Sequence, residues 1–131
     1  MAETHGGGCH CRAMRYRVVE NPFRVVVCHC TSCQRQTGSA FGVSVVFAEQ
    51  NVEIMQGVLK SYEYHSDESH RWLKTEFCPT CATTVTFTAE AVPGMRGIAG
   101  GTFDDPNGST SSATFGHAQP TIGWSFQPMS S

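Results

Sequence analysis

Seven cysteines constrain this chain more than any other feature of its sequence, because they fall into three tight clusters. C-x-C and C-x-x-C spacings each occur twice, and such repeats are typical of zinc ligands. The N-terminus MAETHGGG lacks the apolar segment of a signal peptide. We therefore expect a cytoplasmic, reducing location, where clustered cysteines bind metal rather than form disulfides. The clusters are Cys9/Cys11, Cys28/Cys30/Cys33 and Cys78/Cys81.

The number of cysteines suggests how they are shared between metal ions. A closed structural zinc site takes four ligands, whereas a catalytic site takes three and keeps one position open. Seven equals four plus three, so the two pairs would form a closed site and the cluster of three an open one. A rival pairing joins Cys30/Cys33 with Cys78/Cys81 as a zinc ribbon and leaves three cysteines unused. Spacing alone leaves both pairings open.

The composition is that of a soluble globular domain, with 131 residues, 40% hydrophobic, 15% charged and a net charge of -2. It argues against nucleic acid as a partner, and the apolar runs are too short to span a bilayer. Basic residues lean towards the first third of the chain. They lie either on a solvated strand face or on a cationic rim for an acidic substrate. The residues are Arg12, Arg15, Arg17, Arg24 and Arg35.

Alternating apolar and polar residues predict a β protein with a single domain over residues 1–131. Met14, Tyr16 and Val18 alternate with arginines, which is the pattern of a half-buried strand. Residues 31–37 suit one short helical turn, and no stretch has a sustained helical period. The Ser/Thr/Gly-rich segment after Pro106 has four apolar anchors, which are Phe115, Ile122, Trp124 and Phe126. Further strands are predicted at 23–27, 41–47, 52–55, 59–64 and 83–87.

Five segments together resemble one known family, the glutathione-dependent formaldehyde-activating enzymes, which also include centromere protein V. The segments are GGGCHCRAMRY, VVVCHCTSCQRQTGSAF, GVLKSYEY, TEFCPTCATTV and GIAGGTFDDP. The resemblance is clearest over residues 6–106 and resumes weakly near Trp124, so that 107–131 is a tail. It implies a mainly β fold, the β-tent, in which small twisted antiparallel sheets are stapled by zinc.

The same resemblance implies how the cysteines divide. Two zinc ions per chain are expected, one tightly held and one labile. The family pattern commonly has a glycine after each structural pair, where the turn needs a left-handed residue. Here Arg12 and Ala82 stand at those positions, and a left-handed non-glycine residue costs about 1–2 kcal/mol. The structural ligands match Cys9, Cys11, Cys78 and Cys81, and the catalytic ligands match Cys28, Cys30 and Cys33.

Residues beside the cluster of three are the candidate substrate-binding residues. Gln34, Arg35 and Phe41 follow Cys33 closely, and we expect residues 34–41 to wall the site. Arg35 or Arg12 is the nearest cation in sequence for an acidic thiol such as glutathione. His29 alternates with the flanking cysteines and should point away from them. Asp104 and Asp105 suit a turn first and a general base second.

The resemblance implies a zinc-dependent carbon–sulfur lyase that acts on the adduct of a glutathione-type thiol and a small aldehyde. Three thiolates make zinc a soft Lewis acid, which suits sulfur exchange. Two alternatives stay open at this stage. The same scaffold could hydrate or hydrolyse another electrophile, such as an imine or carbonyl. A non-enzymatic zinc-binding module ranks last, because the chain has no basic segment like that expected of the centromere relative. The expected partner is a small molecule rather than a nucleic acid or a membrane.

Overall fold

The computed structural model describes residues 4–66 and 70–105. Within these ranges the chain forms nine strands, one short helix and two 3₁₀ turns at Glu49–Asn51 and Gly100–Thr102. No helix in these ranges is long and apolar enough to cross a membrane. The elements are β1 Thr4–Gly8, β2 Arg15–Val19, β3 Arg24–Cys28, α1 Thr31–Thr37, β4 Gly42–Ala48, β5 Val52–Gln56, β6 Lys60–His65, β7 Trp72–Phe77, β8 Thr84–Ala89 and β9 Met95–Ala99.

The strands form two antiparallel sheets, which confirms the mainly β expectation. One sheet has three strands in the order β1-β2-β5, and the other has six in the order β3-β4-β9-β8-β7-β6. A single bridge between Gly7 and Phe103 connects β1 to the segment that follows β9. The two sheets thus meet through residues that are distant in sequence.

The sequence pattern identified most of these elements. Each of the six predicted strand stretches overlaps an observed strand, and the short helix lies at Thr31–Thr37 as expected. Strands β1, β7 and β9 lie outside the predicted stretches. Strand β1 reads THGGG, and glycine disfavours strands because it has no side chain to pack. The four apolar anchors expected in the tail fall outside the described residues.

The core lies between the two sheets and is centred on Tyr16. Met14, Tyr16 and Val18 are fully buried, as their alternation predicts. The Tyr16 ring meets Phe103 edge to face, with ring centroids 5.7 Å apart. Its hydroxyl lies 2.8 Å from the Thr102 hydroxyl, so the buried polar atom is hydrogen-bonded.

The six-stranded sheet has apolar side chains on both of its faces. Val45 and Phe47 of β4 and Ile98 of β9 belong to the core. Because successive residues of a strand point to opposite faces, Val46 and Gly97 point away from it. These outward residues help to line a cavity on the far side of the sheet.

The two sheets pack too closely at Gly7 to admit a side chain. A methyl group at Gly7 would overlap the Thr102 carbonyl oxygen and the Tyr16 ring, whereas one at Gly6 would meet nothing closer than Asp104 at 3.5 Å. We expect Gly7→Ala to lower the free energy of unfolding by about 1–3 kcal/mol, the usual cost of overpacking. Urea unfolding of both variants measures this. An equal effect of Gly6→Ala would contradict the tight packing at Gly7.

Candidate metal sites and the adjoining cavity

The first and third cysteine clusters come together in the structure. The sulfur atoms of all four residues lie within 4.8 Å of one another. Sγ of Cys11 is 3.6 Å from Sγ of Cys9 and 3.8 Å from Sγ of Cys78. These distances match the edge of about 3.8 Å expected for four sulfurs around a tetrahedral zinc, and they are far longer than a disulfide bond. The donor set Cys9, Cys11, Cys78 and Cys81 therefore fits one zinc ion, and the zinc-ribbon pairing is wrong.

Each cysteine pair lies in a tight turn between two strands. In the β1–β2 turn, the Arg12 amide donates to the Cys9 carbonyl and the Met14 amide donates to the Cys9 sulfur at 3.3 Å. In the β7–β8 turn, the Ala82 amide donates to the Cys78 carbonyl at 2.7 Å. The two turns thus have similar hydrogen bonding, and each presents its sulfurs towards the other.

One threonine connects the two turns. The Thr83 hydroxyl accepts a hydrogen bond from the His10 amide at 3.1 Å, and it lies 3.1 Å from the Cys81 sulfur. Thr83 therefore holds the turns together independently of any ion. Asp104, which the sequence suggested as a turn residue first and a general base second, forms a two-pronged ion pair with Arg15. This ion pair with Arg15 favours a structural role for Asp104.

Arg12 and Ala82 both adopt the left-handed conformation expected at these turns. Their φ angles are 69° and 66°. The turns are therefore not bent differently to suit a non-glycine residue. The strain at both positions is retained and must be offset by the packing around the turns and by any metal that they would enclose.

The four thiols differ in how readily they ionise. Hydrogen bonds from the Thr83 hydroxyl and amide lower the pKa of Cys81 to about 5. At Cys11 the Ala13 amide lowers the pKa, but desolvation and the neighbouring thiols outweigh it and raise the pKa to about 12. Like charges at this separation oppose full ionisation. A divalent cation allows all four thiols to ionise together.

The second cluster lies where β3 passes into α1. Cys28 is the last residue of β3, Cys30 is the N-cap of α1 and Cys33 is in its first turn. The Cys33 amide donates to the Cys30 sulfur at 3.4 Å, so this candidate ligand also caps the helix. The three sulfurs lie within 4.8 Å of one another and fit a three-ligand metal site. Burial raises the pKa of Cys33, and the Cys28 and Cys30 thiols raise it further.

A cavity of about 270 Å³ adjoins this second cluster, whereas the four-cysteine cluster borders a separate, more polar groove lined by Cys9, Arg12 and Arg15. Cys28 and Cys33 form part of its wall, and most of the other wall atoms are apolar. Thr37, Gln36 and Gly42 lie between this cavity and a wider open groove on the neighbouring surface. The main apolar residues of the cavity are Val26, Val46, Tyr64, Leu73, Phe87 and Val92.

The candidate residues predicted after Cys33 lie in different places. Phe41 lines the open groove and meets the His29 ring edge to face, with centroids 6.4 Å apart. The Gln34 side chain donates to the Ala40 carbonyl at 3.1 Å and so closes the loop after α1. Arg35 is exposed and is not among the wall residues of the cavity or the groove, whereas Arg12 lies beside the four-cysteine cluster.

Two cavity residues were not singled out as site residues by sequence reasoning, although Arg24 was among the basic residues considered for a cationic rim. Arg24 lies at the cavity wall on β3, two and four residues before Val26 and Cys28. The alternation along β3 could have placed Arg24 beside Cys28, because Arg24, Val26 and Cys28 lie on one face of the strand. Tyr64 comes from β6, and its half-buried hydroxyl hydrogen-bonds to Ser32 beside Cys33. Burial and the nearby Cys33 raise the pKa of Tyr64. Only the pairing of β6 with β7 brings it to this site.

Comparison with known proteins gives two findings. A family model described as glutathione-dependent formaldehyde-activating enzyme matches residues 4–117. The crystal structure of a Rhodobacter sphaeroides protein, a structural genomics target, is similar with a TM-score of 0.60 and 19% sequence identity. The alignment covers 76% of this chain and 87% of that chain. At this identity the likeness shows the fold alone.

Metal content distinguishes the roles of the two clusters. We expect up to two zinc ions per chain, of which mild chelation removes one. Cys30→Ser should lose the labile ion and keep the fold. Cys78→Ser should unfold the chain, since a structural zinc contributes about 10–16 kcal/mol of binding free energy. Metal analysis by mass spectrometry and thermal unfolding by circular dichroism measure both. A protein that binds no zinc, or equal destabilisation by the two variants, would contradict this assignment.

The left-handed turn residues predict a stabilising substitution. Ala82→Gly should raise the free energy of unfolding by up to about 1 kcal/mol, because relief of left-handed strain exceeds the entropy that glycine adds to the unfolded chain. Ala91→Gly is a matched control at an exposed position without a positive φ, and it should be neutral or destabilising. Denaturant unfolding of the zinc-loaded proteins measures the difference. A loss of stability in Ala82→Gly would show that the left-handed alanine carries no strain.

Proposed function

The chain belongs to the glutathione-dependent formaldehyde-activating enzyme family, and we propose that it is a zinc-dependent carbon–sulfur lyase that makes or breaks thiol–aldehyde adducts. In the forward direction the thiol sulfur forms a bond to the aldehyde carbon while the carbonyl π bond breaks. The thiol proton ends on the former carbonyl oxygen. No oxidant or reductant is needed, and the reverse reaction releases the same two molecules.

The observation that carries this proposal is the position of Cys28 and Cys33 on the wall of a partly open, mostly apolar cavity. The four-cysteine cluster has a complete tetrahedral donor set, so it has no position left for a substrate. The cluster of three has that position and a cavity beside it. These two properties together favour substrate chemistry at Cys28, Cys30 and Cys33 and a structural role for the other four.

A zinc ion held by Cys28, Cys30 and Cys33 would supply Lewis acidity together with an affinity for sulfur. The protein supplies the rest of the site. The apolar wall excludes water, which strengthens polar interactions inside the cavity. The Tyr64 hydroxyl, which lies on the same wall, is in position to donate a hydrogen bond to the aldehyde oxygen as its charge develops.

Arg24 is the cation best placed for a carboxylate of glutathione. It lies at the cavity wall with its guanidinium 5.8 Å from the centre of the Phe23 ring, and it is exposed. The peptide part of the thiol would then remain in solvent while its sulfur reaches the cysteines. Arg35 and Phe41 could extend such a surface along the open side of α1. Free thiols and a thiol substrate both suit a reducing compartment such as the cytoplasm.

Exchange between free formaldehyde and its glutathione adduct is the direct test of activity. We expect the zinc-loaded protein to accelerate this exchange, measured by NMR exchange spectroscopy at fixed pH, and Cys30→Ser to remove the acceleration. Tyr64→Phe should lower kcat more than it raises KM, because the lost hydrogen bond is made in the transition state. If glutathione has no effect and an imine or another carbonyl compound is turned over instead, the lyase assignment is wrong.

Arginine substitutions identify the glutathione-binding cation. Arg24→Ala should raise KM for glutathione by about 2- to 5-fold, since an exposed charge pair contributes up to about 1 kcal/mol. The increase should shrink at high salt. Arg17→Ala is the control, because Arg17 is exposed on the three-stranded sheet and pairs with Glu53 at 2.7 Å. An increase in Arg35→Ala but not in Arg24→Ala would favour the residue predicted from sequence.

A further inference from the structure

The cavity beside Cys28 and Cys33 is more apolar than formaldehyde chemistry requires. Its walls come from all six strands of the large sheet, from α1 and from Val92 after β8. Formaldehyde has one carbon, and glutathione is a charged peptide. Neither molecule would cover this surface with apolar atoms. The apolar wall favours binding only when an apolar group displaces the water that contacts it.

The apolar wall is a separate feature from the protein core. Val26, Leu73, Phe87 and Val92 line the cavity, yet none of them belongs to the core cluster. Neighbouring residues of β3 point to opposite faces of the sheet: Val25 packs against the core, whereas Val26 faces the cavity. Folding of the core therefore does not require these residues to be apolar.

Two glycines keep room inside the cavity. A methyl group at Gly97 would overlap the Ser44 hydroxyl and lie 3.5 Å from the Phe87 ring. Gly42 is paired with Cys28 in the β3–β4 ladder. A methyl group there would lie 3.3 Å from Thr37 Cγ2 and 4.0 Å from Cys33 Cβ. Gly97 thus preserves space beside Ser44 and Phe87, and Gly42 preserves space beside Cys33.

We infer that the aldehyde used by this site carries an apolar substituent, an alkyl chain or an aryl ring, which lies in this cavity while its carbonyl carbon faces the cysteines. The inference rests on the proposed function and specifies its substrate class. A cavity of about 150 Å³ holds a benzene molecule, so about 270 Å³ accepts a six-carbon chain or a substituted ring. Bond changes are those of the thiol addition described above, and the substituent itself does not react.

A series of aldehydes measures this preference. With glutathione fixed, kcat/KM relative to the uncatalysed rate should rise by about three- to fourfold for each methylene from propanal to hexanal. Benzaldehyde should also exceed formaldehyde. A flat or falling series, with formaldehyde the best substrate, would overturn the inference and leave the proposed function intact.

A cavity-filling variant links the preference to this wall. Ala89 lines the cavity, whereas Ala91 is exposed and is not among its wall residues. Ala89→Leu should lower the ratio of kcat/KM for hexanal to that for formaldehyde by at least about fivefold, which corresponds to one to two buried methylenes. Ala91→Leu should leave the ratio unchanged. Equal ratios in both variants would show that the apolar group lies elsewhere.

Binding of unreactive alcohols separates failure of this inference from failure of the proposed function. Hexan-1-ol and benzyl alcohol should show saturation-transfer NMR signals, compete with each other and bind more weakly to Ala89→Leu than to Ala91→Leu. Alcohol binding without any aldehyde turnover would retain the apolar site and reject the lyase. Formaldehyde turnover without alcohol binding would retain the lyase and reject the apolar site. A crystal structure with residues 106–131 filling the cavity would also overturn the inference.

Discussion

The interaction on which the rest of the structure depends is the meeting of four thiols from two distant turns. The β1–β2 turn brings Cys9 and Cys11, and the β7–β8 turn brings Cys78 and Cys81. One turn belongs to each sheet, so the cluster joins the sheets at one end of the core. Because like-charged thiolates repel one another, a bound cation would strengthen this join when the thiols ionise. Arg12 and Ala82, the two strained left-handed residues, lie in the same two turns.

The two cysteine clusters use the same donor atom in different surroundings. Backbone turns surround the first, and its four sulfurs complete a tetrahedron. The second is formed by the end of a strand and the start of a short helix, and it supplies three sulfurs at the edge of a cavity. A closed donor set favours stability, whereas an incomplete set beside a cavity favours substrate chemistry. Cysteine content alone therefore does not distinguish the two roles, but the surrounding backbone does.

The six-stranded sheet connects the core to the proposed chemistry. Its inner face packs on β2 through residues such as Val45 and Phe47, and its outer face lines the cavity. Strand β3 illustrates the division, because Arg24, Val26 and Cys28 share the outer face while Val25 packs inward. A change in the register of β3 would move the cysteine and the arginine away from the cavity together. The position of the site thus depends on strand pairing.

The sequence by itself determined what depends on local spacing. Alternation at Met14, Tyr16 and Val18 identified the central strand of the core, and short cysteine spacings predicted two kinds of metal site. The family resemblance, rather than the spacing, predicted the left-handed positions at two of the turns. Spacing could not decide which pairs share an ion, because the 3.8 Å approach of Cys11 to Cys78 depends on how the hairpins pack. Nor could it bring Tyr64 to the thiols, since that position follows from the pairing of β6 with β7. Local patterns encode elements and ligands, whereas long-range pairing creates the cavity between them.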